Sequence, residues 1–127
     1  MSVQTSLSQH VVVLGASPKP ERYSNQAIRL LKDYQHNVTA VNPAFDQINQ
    51  CPCVRELADI HQPVDTLCLY RNASQLAKQI DEIIALKPKR VIFNPGTESW
   101  ELQQALTQSG ILWQESCTLV MLRSGHF

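Results

Sequence analysis

"VVVLGASPKPERYSNQAIRLL", Val11–Leu31, decides the fold. Val11, Val12, Val13 and Leu14 form an apolar run with no polar residue to mark a solvent side, the pattern of a strand buried on both faces. Gly15 then permits a tight turn. Pro18 and Pro20 delay the helix by removing backbone donors and fixing φ. From Ser24, read as the N-cap, Ala27, Ile28, Leu31 and Tyr34 recur at three- and four-residue steps, with a stop near Asn37. A strand, a loop and an amphipathic helix in that order make the first half of a crossover unit.

The same alternation runs down the rest of the chain. "HVVVLG", "NVTAVN", "VDTLCLY", "RVIFN" and "CTLVML" read as buried strands. Between them, Leu76, Ala77, Ile80, Ile83 and Ile84 mark a helix that opens on the capping box "NASQ", Asn72–Gln75, and stops at Lys87-Pro88. Thr97 is positioned to cap a third helix. Glu98 and Glu101 lie in its positive first turn, Leu102, Ala105 and Leu106 on its inner face, and Gly110 just past its end. A shorter helix is expected over Val54–Ile60. Strands alternating with helices require parallel pairing through right-handed crossovers. The expectation is an α/β, Rossmann-like, doubly wound and mostly parallel sheet of about five strands, with helices on both faces and residues 1–127 in one domain. "NPAFDQINQCPC" reads as a surface connection, and the closing "SGHF" as an edge or a tail.

Composition restricts the partners. In 127 residues, 43% are hydrophobic, enough for one ordinary core, and 11 basic residues cancel 11 acidic ones. No net field is left to hold nucleic acid or an anionic membrane, so an anionic ligand must be met by locally placed groups. "MSVQTSLSQH" has neither the basic nor the apolar segment of a leader, and no apolar run approaches the ~20 residues of a membrane span. The chain reads as soluble and cytoplasmic. Cys51 and Cys53 are one residue apart, without the spacing of a redox or zinc pair, and read with Cys68 as loop and core thiols. His10, His36, His61 and His126 are scattered, so neither a metal site nor a catalytic histidine is expected.

In a sheet of this kind ligands lie outside the carboxyl ends of the strands, where the strand order reverses. The residues just past the strands are Gly15-Ala16-Ser17, Asn42-Pro43, Tyr70-Arg71 and Asn94-Pro95-Gly96-Thr97. They would converge on one edge with backbone amides, a hydroxyl, two side-chain amides and a guanidinium. Individually they have bland readings: Gly15 suits any strand-to-helix turn, Arg71 could be a surface ion-pair partner, and "NPGTE" could be a turn and a helix cap. The first loop lacks the second glycine of a dinucleotide fingerprint, where Ser17 stands, and Asn42 replaces the acid that would hold a nicotinamide cofactor's ribose. Both argue against ordinary NAD binding. Lys19 and Arg22 flank the turn. Trp100 and Trp113 read as packing against the sheet, with an adenine platform as the alternative. Lys87, Lys89 and Arg90 read as a solvated cluster on the opposite, amino edge.

Together, "VVVLGASPKPERYSNQA", "VTAVNP" and "VDTLCLYR" resemble the family of small CoA-binding domains, similar to the CoA-binding part of the succinyl-CoA synthetase α subunit. The resemblance covers residues 10–123. It implies CoA or acyl-CoA across the carboxyl edge: pyrophosphate at the first loop, adenosine near the Asn-Pro turn, and pantetheine past the third and fourth loops. The binding candidates are then Gly15, Ala16, Ser17, Lys19, Arg22, Asn42, Pro43, Tyr70, Arg71, Pro95 and Gly96. Many relatives place a lysine after the Asn-Pro, where this chain has Ala44, leaving that phosphate to Lys19 or Arg22. The resemblance stops short of the phosphorylatable histidine and nucleotide-grasping subunit of a synthetase. The function expected is a noncatalytic module for a nucleotide thioester, with an acyl-transfer enzyme as a possible partner protein. The alternatives are an enzyme using Cys117 or Asn94, and an NAD(P)-linked sensor.

Overall fold

The computed structural model describes residues 8–127; residues 1–7, part of the segment read as free of a leader, lie outside the described residues. The leading apolar run is strand β1, His10–Leu14, buried along its whole length. Extended backbone sends alternate side chains to opposite faces. Val11 and Val13 therefore enter one core cluster with Ile28, Leu31, Cys68 and Ile92, while Val12 and Leu14 enter another with Leu67, Leu69, Val91 and Phe93.

Helix α1, Tyr23–Asp33, covers the first of these faces. Its N-cap is Arg22 and not Ser24, which lies buried inside the first turn. A turn closed by the Arg22 amide on the Lys19 carbonyl, at 3.1 Å, has already led the chain into the helix. Strand β2, Asn37–Val41, follows and pairs in parallel with β1. The stretch expected to be a surface connection is instead a small hairpin: β3, Gln47–Ile48, and β4, Cys51–Val54, pair antiparallel. Its two-residue loop, Asn49 and Gln50, has φ of 52° and 66°, the left-handed geometry that matches the twist of a hairpin. β4 extends the parallel sheet beyond β2 and buries Cys51 and Cys53. The helix expected over Val54–Ile60 is only a 3-10 turn, Leu57–Asp59, because Val54 belongs to β4.

Strand β5, Thr66–Leu69, returns to the other side of β1. The capping box at Asn72 and Gln75 forms, yet the helix behind it is interrupted, giving α2, Ala73–Leu76, and α3, Ile80–Leu86. β6, Arg90–Phe93, leads to α4, Trp100–Gln108, capped by Ser99 and not Thr97: the Ser99 hydroxyl accepts the Leu102 amide at 3.2 Å. Thr97 instead directs its hydroxyl to the Asn94 carbonyl, at 2.7 Å.

The last strand departs most from expectation. β7 is Leu112–Glu115, and "CTLVML" is largely helix α5, Thr118–Ser124, ended by Gly125 at φ 77°. Leu119, Met121 and Leu122 are buried while Val120 is exposed, a one-sided pattern that suits a helix on the sheet. The sheet has seven strands in the order β3-β4-β2-β1-β5-β6-β7, parallel except for β3. α1 and α5 pack together on one face, and α3 contacts both α4 and the 3-10 turn on the other. Among the described residues no helix is long and apolar enough to cross a membrane.

Candidate functional site

The strand order reverses between β1 and β5: from β1 the chain crosses first to β2 and β4, then returns to β5. Side by side, the residues that follow these two strands are Gly15 and Tyr70-Arg71. Their approach is close. Gly15 adopts φ +87°, and a Cβ placed on it would stand 2.7 Å from the Tyr70 carbonyl oxygen and 2.8 Å from Arg71 Cγ. Only glycine fits this junction without displacement.

Arg71 brings a charge into this crossing. Its Nε is buried, yet among the described residues it has no hydrogen-bond partner. A buried donor without an acceptor is costly, and a guanidinium beside a strand end is well shaped for an oxyanion. Nearby, α1 has no side-chain cap and no acidic residue in its first turn, so the positive end of its dipole is uncompensated by the helix's own side chains. Lys19 and Arg22 are exposed on the intervening loop. The junction therefore combines close backbone approach, a helix N-terminus, a buried donor and two mobile-length cationic side chains. This set is suited to a phosphate or pyrophosphate.

Other sequence-derived candidates hold the junction together. The Ala16 amide donates to the Val41 carbonyl at 3.3 Å, and Asn42 Nδ2 donates to the Ala16 carbonyl at 2.9 Å. Asn42 Oδ1 accepts the Ala44 amide at 2.8 Å, closing the turn that exposes Pro43. Asn42 thus ties the first loop to the second through both ends of its amide. Ser17 Oγ accepts the Lys19 amide at 3.2 Å. Two residues that the sequence reading passed over support the loop from α1: Asn25 Nδ2 donates to the Ser17 carbonyl, and Arg29 donates to both Asn25 Oδ1 and the Pro20 carbonyl. Their signal was faint, an Asn one turn before an Arg within an otherwise ordinary helix.

At the fourth loop Pro95 and Gly96 are exposed, and the Gly96 amide donates to both Glu98 carboxylate oxygens, at 3.1 and 3.2 Å. Asn94 is buried, with both ends of its amide engaged: Nδ2 donates to the Leu69 carbonyl at 3.1 Å and Oδ1 accepts the Thr118 amide at 2.8 Å. It fastens the start of α5 to β5 across β6. Tyr70 packs against the core, where burial first, and then the neighbouring Cys68 thiol, push its phenol well above the ordinary range; the Thr118 hydroxyl opposes them. Cys117 is half-buried at the N-cap of α5.

The tryptophans divide. Trp113 packs edge-on against Phe93, with centroids 5.8 Å apart, and donates to Thr107 Oγ1. Trp100, expected against the sheet, is 73% exposed, because it occupies the first position of α4 on its solvent side.

Comparison with known proteins agrees with this geometry. A family model described as a CoA binding domain matches residues 9–123. A crystal structure of an uncharacterized protein shares 38% identity, with TM-score 0.88 over 94% of this chain and 98% of that one. A Thermus thermophilus protein, cell-free ID.343, shares 29% identity with TM-score 0.87 over the whole of both chains. An ADP-forming acetate–CoA ligase from Archaeoglobus fulgidus is 31% identical over 72 residues, covering 57% of this chain and 10% of the ligase.

Proposed function

This chain belongs to the CoA binding domain family, and we propose that it acts as a noncatalytic module that holds CoA or an acyl-CoA at the β1–β5 crossing. The observation that carries the reading is the buried Arg71 Nε beside Gly15, without a hydrogen-bond partner among the described residues. There, the half-buried Arg71 side chain would turn its guanidinium to the pyrophosphate and so give Nε an acceptor, and the same anion would meet the N-terminus of α1. Asn42 would act indirectly, by keeping Ala16 and the Pro43 turn in place, since its amide already has partners at both ends. Lys19 or Arg22 would reach the ribose 3′-phosphate. The bound thioester would bring the acyl group; the protein's residues would supply binding and orientation.

A noncatalytic role is supported by the engagement of Asn94, whose Nδ2 and Oδ1 both hold the fold. The match spans about a tenth of the ligase, so a ligase reaction is not transferred with the similarity. The proposal also takes residues 1–127 as one domain in the cytoplasm, serving an acyl-transfer enzyme as partner.

Calorimetric titration tests the reading. CoA should bind more tightly than dephospho-CoA, and dephospho-CoA more tightly than NAD, at one fixed ionic strength. Arg71→Ala should weaken CoA by roughly tenfold to a hundredfold, the loss of a charge-assisted bond of about 1.5–3 kcal/mol. NAD binding ahead of CoA, or CoA affinity untouched in a folded Arg71→Ala variant, would overturn the assignment.

A further inference from the structure

The closing "SGHF" is neither a sheet edge nor a free tail. At the amino edge of the sheet, opposite the CoA site, the Phe127 ring lies against two side chains from different elements. His36, between α1 and β2, meets it with centroids 5.2 Å apart, and the Arg90 guanidinium carbon at the start of β6 lies 4.5 Å from its centroid. Arg90 is fixed in that position, with Nε donating to Thr66 Oγ1 at 2.8 Å and Nη2 donating to the main-chain oxygen of Phe127 at 2.6 Å. This corrects the reading of Arg90 as part of a solvated cluster: it is half-buried and holds the C-terminal segment.

We propose that His36, Phe127 and Arg90 form a clasp on the C-terminal end of α5, and that the clasp opens when His36 takes up a proton. The neutral ring is required by its hydrogen bond, since Nδ1 accepts the Gln9 amide at 3.1 Å. A proton on Nδ1 would set one N–H against another and place a cation beside the Arg90 cation. Among the charged and titratable groups on the surrounding elements, Arg123 in the last turn of α5 is exposed, and Lys89 beside Arg90 pairs with Asp65 at 3.1 Å. Lys32, near the end of α1, donates to the Asn49 carbonyl, and Asp33 beside it is exposed. His10 on β1 engages the Pro63 carbonyl and Thr39, and His126 faces Ser124. Arg90 is the one whose charge bears on His36. Burial, and then Arg90, hold the His36 pKa below its ordinary 6.5.

The sign follows from that direction. A histidine depressed in the closed form binds its proton more readily once released, so closure is fully favoured above pH 6.5 and weakens as pH falls toward the depressed value. What the clasp secures is the far end of α5, whose near end Asn94 fixes at the CoA edge through Thr118.

Proton NMR of the full chain tests this, with the Phe127 signals identified from a Phe127→Leu spectrum. Between pH 7.5 and about 5, the Phe127 ring signals should move toward those of an exposed phenylalanine. Their midpoint should match that of the His36 ring, and protection of the His126 amide, which donates to the Met121 carbonyl, should be lost in step. His36→Gln, which keeps an acceptor and removes the titration, should abolish the transition, and His126→Gln should leave it unchanged. A transition that survives in His36→Gln, or a His36 titration during which the Phe127 signals stay fixed, would overturn the clasp.

Discussion

At Gly15 two requirements coincide, a left-handed backbone and a neighbour too close for any side chain. Gly96 separates them, for it has φ +91° with open space around it. Replacing Gly96 by Ala should therefore cost about 1–2 kcal/mol from backbone conformation alone. Gly15→Ala must also displace Tyr70 or Arg71, for a total of about 2–5 kcal/mol when overpacking is included. Since 1 kcal/mol moves the melting temperature of a chain this size by about 4 °C, thermal unfolding will resolve the two variants. Equal losses would mean that the first and third loops are not packed as tightly as the geometry requires. The position of Gly15 was legible because a small residue after a buried strand has few other uses. The orphaned Arg71 Nε was not, since it arises only when loops more than fifty residues apart in sequence close on each other.

Asn94 is the element-scale counterpart, a single amide between the end of β6 and the start of α5. Asn94→Ala would leave the Thr118 amide and Leu69 carbonyl without these buried partners, a loss of about 1–3 kcal/mol. Hydrogen exchange should accelerate in α5 more than in α4, whose cap is Ser99. Uniform acceleration across both helices would argue that Asn94 supports the whole domain and not α5 in particular. The order of β1, β2, β5 and β6 was readable because those strands are buried along nearly their whole length and announce themselves as largely apolar runs. β7 does not: as an edge strand, with Leu112, Gln114 and Glu115 exposed, it leaves only Trp113 half-buried to suggest a period. β-branched Thr118 and Val120 drew the neighbouring segment toward a strand reading. Gly125, left-handed after the last turn, was the available sign that the segment ends as a helix. The hairpin of β3 and β4 escaped for a different reason, because Asn49 and Gln50 adopt a turn usually signalled by glycine.

Across the whole molecule, the titrating groups squeeze stability from both sides. At low pH, Asp65 contributes: the His10 amide, and then Lys89 through its bond and charge, hold the carboxyl below its usual 3.8 against a smaller opposing effect of burial. That contribution is present above the ordinary carboxylate pKa and disappears as acid protonates the folded form. The alkaline side depends on burial. Desolvation pushes the Cys51 and Cys53 thiols up, and Cys68, fully buried, to about 11 from 9.0. Below pH 9 these thiols are neutral in both folded and unfolded chains. Above it the unfolded chain ionises first and binds fewer protons, so stability must fall as pH rises toward the folded values. For Cys68 the two-unit difference corresponds to on the order of 2–3 kcal/mol between pH 9 and 11. Urea unfolding of the wild type and Cys68→Ala across that range isolates the effect, because any packing loss in the variant is present at every pH and cancels from the pH-dependent difference. The variant should lose less stability than the wild type on going from pH 9 to 11, by about the amount assigned to Cys68. Parallel losses would remove Cys68 as a source of the alkaline limit and leave it to the other buried acids, Tyr70 foremost, whose phenol burial also raises.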